Sequence, residues 1–341
     1  MYLNPGRLNN PTSIASIEIS GKLTERGKLT IQFDNPDAYP ISLLQILNDI
    51  CRQSTDQLEV RFYGHYKTGF DAAILRELPD VKNLSLDCLL TIRNEDMISN
   101  LGNLSKLHFG VFEIDRPEFL NSLDLSALTS IILGENRKRN LNLSPLATCA
   151  SLEQLTIGGF SDEIDAVAGL PNLKEITLRS FAKRHRIAFL KGVPNLQHLT
   201  LILGGRVSIE EFSSESLKEL QLIRVQGLTS LGDLSRFSNL RWLWVEDQLK
   251  VNSLDLSGTQ LEHLTLYNCK SLANLSSLES QTRLREFQSS RVLLNSDALR
   301  DFRWPISAQT VRIFSGTRKW NETAAASLKA RGFGQDAIWS R

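Results

Sequence analysis

Several histidines and glutamates in the second half of the chain could act as acids, bases or metal ligands. His198, Glu219, Glu246 and His263 are of this kind, because imidazole and carboxylate groups at close range transfer protons or bind metal ions. No motif with a defined catalytic arrangement accompanies them. The sequence contains no HExxH, no GxSxG, no paired CxxC and no glycine-rich phosphate-binding loop. What these residues can do therefore depends on the elements that position them.

A leucine-rich segment recurs along most of the chain and sets those positions. Three copies match the frame L-x-x-L-x-L, namely Leu196–Leu201, Leu217–Leu222 and Leu261–Leu266, and Leu173–Leu178 matches it with Ile176 at the centre. With Val, Ile and Phe admitted, the central residue recurs about every 22 residues from Leu84 to Val311. Repeats of this length form solenoids, in which each unit buries its core only against its neighbours.

The frame also predicts which side chains face solvent. Successive residues of a strand point to opposite sides, so the leucines face the core. The residues just before, just after and three after each central position then face outward. Between residues 198 and 267 these positions are rich in aromatic and apolar side chains. We predict a partner-binding surface made of Trp242, Trp244, Tyr267, His263, Glu246, His198, Ile202, Ile223, Glu219 and Arg179. Strands lie about 4.8 Å apart, which gives a patch about 15 Å across, and aromatic side chains dominate binding hot spots.

Other interpretations of the same residues are open. Trp242 and Trp244 could be ordinary half-buried residues of the sheet with no binding role, or a slip of the frame by one residue could turn them inward. A small-ligand receptor or enzyme could use His263, Glu246 and Glu219, but it needs a concave pocket, which an open sheet rarely supplies. His198 and His263 lie three strands apart, about 14 Å, which is too far for one zinc ion. We therefore expect no catalytic residue, no metal site and no cofactor.

Two basic clusters offer a different kind of partner. Arg137–Arg139 and Lys183–Arg186 both follow strands and would lie on the same rim, two repeats apart. Asp162 and Glu163 lie between them and break the basic stripe. The outward positions of the strands are mildly acidic, which argues against a nucleic-acid backbone along the sheet. Binding of nucleic acid or of an acidic partner through this rim is the alternative hypothesis.

The two ends of the chain depart from the repeat and are expected to cap it, because a bare repeat end would expose apolar surface. Residues 1–78 are predicted as an α/β cap, 79–315 as repeats and 316–341 as a capping helix and tail, together one continuous domain. The predicted elements of the first cap are strands at Ile14–Ile19, Leu29–Phe33 and Leu58–Tyr63, a helix from Pro40 with Ile41, Leu44, Leu47, Ile50 and Cys51 on one face, and a short helix near Phe70–Leu78. In the last cap Asn321 is predicted to cap the helix and Gly332 to stop it.

The connectors between strands complete a family resemblance. Segments such as Ile164–Leu173 and Leu231–Leu240, joined to the strand frame, give L-x-x-L-x-x-L-P-N-L-x-x-L-x-L. Over about residues 79–315 this resembles the leucine-rich repeat family, in the short, internalin-like form of bacterial proteins. The resemblance implies an α/β solenoid, a horseshoe with a parallel concave β-sheet and short 3₁₀, α-helical or irregular convex connectors. It also implies a non-enzymatic protein–protein interaction module, such as a bacterial effector or a toxin-neutralising protein.

One position departs from the family pattern. The family often has Asn three residues after the last strand leucine, where its side chain bonds to neighbouring loops. Here only Asn136 keeps that rule, and the position is otherwise held by residues such as Phe112, Val225, Gln248, Cys269 and Val292. We expect apolar packing in place of most of this polar ladder.

Composition restricts the partner and the location. The chain has 341 residues, 39 of them basic and 38 acidic, so net charge gives no reason to expect nucleic acid or anionic lipid. No apolar run of about 18 residues and no signal-peptide core occurs. We expect a cytoplasmic protein, or one delivered from the cell by a dedicated secretion system, with a protein partner and no membrane partner. The oligomeric state is open, with a monomer favoured. The four scattered cysteines are expected to be buried free thiols.

Overall fold

The chain divides into two structural units, Met1–Leu173 and Lys174–Arg341. The computed structural model describes residues 6–67, 69–159, 161–180 and 186–336. Within the described part of each unit, seven long strands follow the order of the sequence, and every strand is parallel to its neighbours. Parallel pairing requires a connector that returns the chain to the same end of the sheet, and each repeat supplies one.

The long strands coincide with the predicted frame. In the first unit they are β1 (Gly6–Asn9), β2 (Leu29–Phe33), β3 (Leu58–Tyr63), β4 (Asn83–Leu89), β5 (Lys106–Val111), β6 (Ser130–Leu133) and β7 (Gln154–Gly158). In the second unit they are β8 (Glu175–Ser180), β9 (His198–Leu203), β10 (Glu219–Ile223), β11 (Trp242–Glu246), β12 (His263–Tyr267), β13 (Glu286–Ser290) and β14 (Thr310–Phe314).

The connectors are short, as expected. The α-helices are α1 (Ser16–Arg26), α2 (Ile41–Gln53), α3 (Ser296–Asp301) and α4 (Arg318–Ala330). The 3₁₀-helices are Pro36–Ala38, Ala72–Glu77, Glu95–Asn100, Phe119–Ser122, Ser144–Thr148, Ile164–Val167, Ala188–Gly192 and Leu234–Arg236. Short parallel strands pair Phe70–Asp71 with Ile92–Arg93, Leu141–Asn142 with Ser161–Asp162, and Ser253–Asp255 with Asn274–Ser276. The predicted leucine-rich repeat solenoid is therefore confirmed.

The leucines of the frame form the core. Leu107, Leu155, Leu199, Leu220 and Leu264 are each at most 2% exposed. Strand register places them opposite one another; Leu220, for example, lies between Leu199 and Leu243. The prediction that the leucines point inward is confirmed, and a slip of the frame is excluded for these strands.

The start of the chain differs from the prediction. Ile14–Ile19 was expected to be a strand, but Ser16–Arg26 is an α-helix that buries Ile19 and leaves Ile17 87% exposed. Gly27 ends this helix in the left-handed conformation, and its N–H donates to the Leu23 carbonyl. The three isoleucines of this segment, spaced three and two residues apart, cannot distinguish a strand from one face of a helix. The sequence interpretation also missed β1, which has only four residues.

The predicted helix after Pro40 is confirmed as α2, with one correction. Leu44, Leu47, Ile50 and Cys51 are buried, but Ile41 is exposed and Leu43 is buried in its place. Ile41 is the first residue of the helix, directly after Pro40, and its side chain does not face the core. The expected strands at Leu29–Phe33 and Leu58–Tyr63 are confirmed, and the predicted turn near Phe70–Leu78 is the 3₁₀-helix Ala72–Glu77.

The last helix covers the last strand. In α4 the buried residues are Ala324 and Leu328, and the helix packs against β14. The helix begins at Arg318 rather than after Asn321, whose side-chain oxygen instead accepts from the Ser315 N–H at 2.9 Å. Gly332 has a φ of 93° just beyond the helix, which confirms its predicted role as the stop.

At the positions where the family has Asn, side chains make more hydrogen bonds to the neighbouring repeat than expected. Asn136 donates to the Val111 carbonyl, and Gln248, only 1% exposed, donates to the Leu222 carbonyl at 3.2 Å. The Cys269 thiol lies 3.5 Å from the Val245 carbonyl. Gln and Cys therefore bond to the preceding repeat where the family has Asn. The expectation of apolar packing is wrong at these two positions.

Three of the four cysteines are buried free thiols, as expected, but Cys88 is exposed. It follows Asp87 within β4 and has a φ of 54°, at the point where the pairing of β4 with β5 shifts register between Asp87 and Leu89. The pKa of the Cys51 thiol is raised to about 12 by burial. A thiol with so high a pKa is un-ionised at neutral pH and correspondingly unreactive.

Close packing of neighbouring strands in the first unit requires glycine. A Cβ atom on Gly134 would lie 2.7 Å from the Gly110 Cα, which is a backbone atom and cannot move aside easily. We expect Gly134→Ala to lower the free energy of unfolding by about 1–3 kcal/mol, because overpacking forces the strands apart. Gly102→Ala is the matched control, since nothing lies within 4 Å of the added carbon. Urea unfolding of both variants tests this, and equal stability of the two would contradict the close approach.

Candidate functional site

The predicted partner-binding residues lie in three rows across β9–β12. Register aligns His198, Glu219, Trp242 and His263 in the first row. The second row contains Thr200, Gln221, Trp244 and Thr265. The third contains Ile202, Ile223, Glu246 and Tyr267, and Arg179 on β8 aligns with Ile202. The structure thus brings all ten predicted residues onto one side of adjacent strands.

The aromatic patch consists of Trp242, Trp244, Tyr267, Ile202 and Ile223, all of which are half-buried. Such side chains present apolar area to solvent while their neighbours limit their motion. The Trp244 Nε1–H donates to Glu246 Oε2 at 2.8 Å, which orients the indole. Trp242 contacts the His263 ring, with centroids 4.1 Å apart and planes at 48°. Both tryptophans are therefore held in place by polar neighbours on the same face.

His263 also contacts Glu286 on the neighbouring strand β13, on the side away from Trp242. Its Nδ1 lies 3.3 Å from Glu286 Oε2, and Arg312 Nη2 lies 3.8 Å from the second oxygen of that carboxylate. The side chain of Glu286 is only 5% exposed. Arg312 also donates to the amide oxygen of Gln288. This chain of contacts runs across three strands and fixes the edge of the aromatic patch.

Glu219 corrects the sequence prediction. It faces the predicted side, but the residue is only 4% exposed, so the expectation that its side chain reaches solvent is wrong. Its Oε2 lies 2.9 Å from His198 Nδ1, and its Oε1 accepts from Gln221 Nε2 at 2.6 Å. The frame gives the direction of a side chain but not the covering by larger neighbours. Glu219 can order the surface but is poorly placed to contact a partner directly.

The three residues considered for catalysis do not converge. Glu219 contacts His198, Glu246 contacts Trp244, and His263 contacts Glu286. Strand β11 lies between Glu219 and His263. No set of three or more His, Cys, Asp or Glu side chains in the described ranges is placed to hold a metal ion. These contacts can hold surface side chains in place, but they do not bring the three groups together for proton transfer on a bound substrate.

The basic rim is partly neutralised. Lys138 Nζ lies 3.2 Å from Asp115 Oδ1 and 3.5 Å from Glu113 Oε2, and the hydrogen bond to Asp115 raises the pKa of this ammonium group. The Arg137 guanidinium lies over the Phe112 ring, 4.6 Å from its centroid. The sequence interpretation missed these carboxylates, although they lie about one repeat earlier. Residues 183–185 of the second basic cluster lie outside the described residues.

A buried polar network in the first unit was not predicted. The Arg61 guanidinium donates to both oxygens of Asp87, at 2.6 and 2.8 Å, and to Gln32 Oε1 at 2.8 Å. Gln32 in turn donates to Asn9 Oδ1 at 2.6 Å. Arg61 and Asp87 occupy outward positions of their strands, yet their side chains are only 18% and 12% exposed. The network joins β1–β4 on the side of the sheet that faces away from the leucine core.

We expect loss of this ion pair to destabilise the first unit. Arg61→Met should lower the free energy of unfolding by about 1.5 kcal/mol, because it leaves the largely buried Asp87 carboxylate without its bidentate donor. Asp87→Asn should have a similar effect. A double-mutant cycle followed by thermal melts measures the coupling, which should be about 1 kcal/mol. Strictly additive effects would show that the pair contributes nothing beyond two separate side chains.

One solved structure supports the fold, and two others match with lower TM-scores. Internalin InlF from Listeria monocytogenes matches with a TM-score of 0.50 and 18% identity, over 84% of this chain and 82% of that one. The functional domain of InlJ from the same organism gives a TM-score of 0.40 and 13% identity, over 89% and 72%. A leucine-rich repeat protein from Leptospira interrogans gives 0.28 and 13%, over 84% and 89%. No family model and no curated protein matches the sequence.

Helix length bears on a membrane role. Among the described residues, no helix combines the length and apolar character needed to cross a bilayer.

The long strands, the short connectors and the similarity to InlF agree with the repeat frame that the sequence carries. By its fold the chain is therefore a leucine-rich repeat solenoid, similar to internalin InlF.

Proposed function

We propose that the chain is a non-enzymatic module that binds a protein partner through the aromatic patch. The observation that carries this proposal is the continuity of five half-buried aromatic and aliphatic side chains on adjacent strands. Binding energy at protein interfaces concentrates in a few such side chains, with Trp and Tyr foremost. An exposed apolar patch with a polar border is also typical of an interaction site.

Order within the patch supports the same function. The Glu246 and His263 contacts hold Trp244 and Trp242 before any partner arrives. Side chains that are already fixed lose less conformational entropy on binding, so more of their contact energy appears as affinity. The bacterial effector and toxin-neutralising roles that the repeats suggest would both use such a surface. Which role applies depends on the partner.

Affinity capture from a lysate of the source organism, or of its host, tests the proposal. The double variant Trp242→Ala/Trp244→Ala should lose a partner that the unchanged chain retains. Trp320→Ala is the matched control, because Trp320 lies on α4, where its Nε1–H donates to Asp297. Retention of the partner by the double variant, with loss after nuclease treatment, would instead favour nucleic-acid binding at the rim.

A further inference from the structure

Glu246 differs from the other carboxylates of its surface. Glu219 and Glu286 are each within 3.3 Å of a histidine nitrogen. By contrast, among the residues that the structure describes, no Lys, Arg or His nitrogen lies within ion-pair distance of the Glu246 carboxylate. Its only described side-chain bond is the one its Oε2 accepts from Trp244 Nε1–H. The second oxygen, Oε1, has no described donor.

The surroundings of Glu246 favour a cation. Register places it between Ile223 and Tyr267, with Trp244 two residues before it on the same face. A carboxylate beside apolar side chains is incompletely solvated, so its charge acts more strongly than in water. The faces of Trp and Tyr also attract cations. Arg224, which follows the register neighbour Ile223, is bonded to Asp247 at 2.9 Å and does not neutralise Glu246.

We propose that Glu246, Trp244 and Tyr267 form a site for an arginine side chain of the protein partner. This inference rests on the proposed function and specifies the chemistry that the aromatic patch recognises. A planar guanidinium can stack on an aromatic ring and donate to Glu246 Oε1 at the same time, which an ammonium group does less well. The hydrogen bond from Trp244 holds the carboxylate beside the ring, so the two attractive groups are already assembled.

The site can be tested without knowing the partner. The probe is N-acetyl-arginine amide, titrated into the full chain while the indole N–H signal of Trp244 is followed by NMR, with that signal assigned through Trp244→Phe. N-acetyl-citrulline amide is the neutral control of the same shape, and N-acetyl-lysine amide measures the preference for guanidinium. We expect a saturable shift with the arginine probe, weaker binding with lysine and no saturable shift with citrulline.

Two carboxylate variants complete the test. Glu246→Gln keeps the size of the side chain and should weaken the arginine probe by about tenfold. Glu262→Gln is the matched control, because that half-buried glutamate already lies 3.7 Å from Arg241 and should leave the response unchanged. Equal shifts with arginine and citrulline, or an unchanged response in Glu246→Gln, would overturn the proposal. Loss of the natural partner in Trp244→Ala but not in Glu246→Gln would overturn the arginine site while leaving the proposed function standing.

Discussion

Replacing Leu220 by Ala is expected to lower the free energy of unfolding by about 2–5 kcal/mol. The residue is fully buried on β10, between Leu199 and Leu243 on the neighbouring strands. Those strands are held by their own hydrogen bonds and cannot collapse into the cavity, which places the effect in the upper part of the range for buried leucines. Because each repeat is stabilised by its neighbours, the adjacent repeats should weaken as well.

Tryptophan fluorescence reports this effect selectively. All five tryptophans lie after residue 173, so their emission follows unfolding of the second unit alone. Urea titration of Leu220→Ala should give a clearly lower midpoint. Thr200→Ala, a half-buried residue on the opposite side of β9, is the control and should shift the midpoint little. If both variants unfold at the same urea concentration, Leu220 is not the core residue described above.

Replacing Trp244 by Ala is expected to weaken partner binding by about thirtyfold, or roughly 2 kcal/mol. The substitution removes the largest side chain of the middle row and also releases Glu246 from its hydrogen bond. Trp244→Phe keeps an aromatic ring but removes the Nε1 donor. Its affinity for the partner should therefore lie between that of the unchanged chain and that of Trp244→Ala. Isothermal titration calorimetry with the captured partner gives these affinities. A thermal melt of each variant separates lost contacts from lost folding.

The repeat frame was enough to predict much of the fold. A fixed period specifies which residues share a strand position, so burial of Leu220 and the outward direction of Trp244 followed from counting. The helix at Ser16–Arg26 could not be predicted in the same way. It occurs only once in the chain, and its three apolar residues fit either a strand or a helix.

The side-chain contacts of the candidate site were harder to predict than the direction of its side chains. Glu219 and Glu286 face outward as the frame requires, yet both are covered by neighbouring residues and contact His198 and His263. Whether an outward residue is exposed depends on the sizes and rotamers of side chains on the two adjacent strands. The neutralisation of Lys138 by Asp115 could have been found from sequence, because equivalent loop positions of consecutive repeats lie side by side.

The most direct test of the aromatic patch compares it with the basic rim in one calorimetric experiment. The partner is titrated into the unchanged chain, into Trp244→Ala and into the charge reversal Arg137→Glu/Lys138→Glu/Arg139→Glu. We predict that Trp244→Ala loses about thirtyfold in affinity, whereas the rim variant loses far less, because the rim charges act mainly on the association rate and its salt dependence. Abolition of binding by the rim reversal, with Trp244→Ala unaffected, would contradict the assignment of partner binding to the aromatic patch.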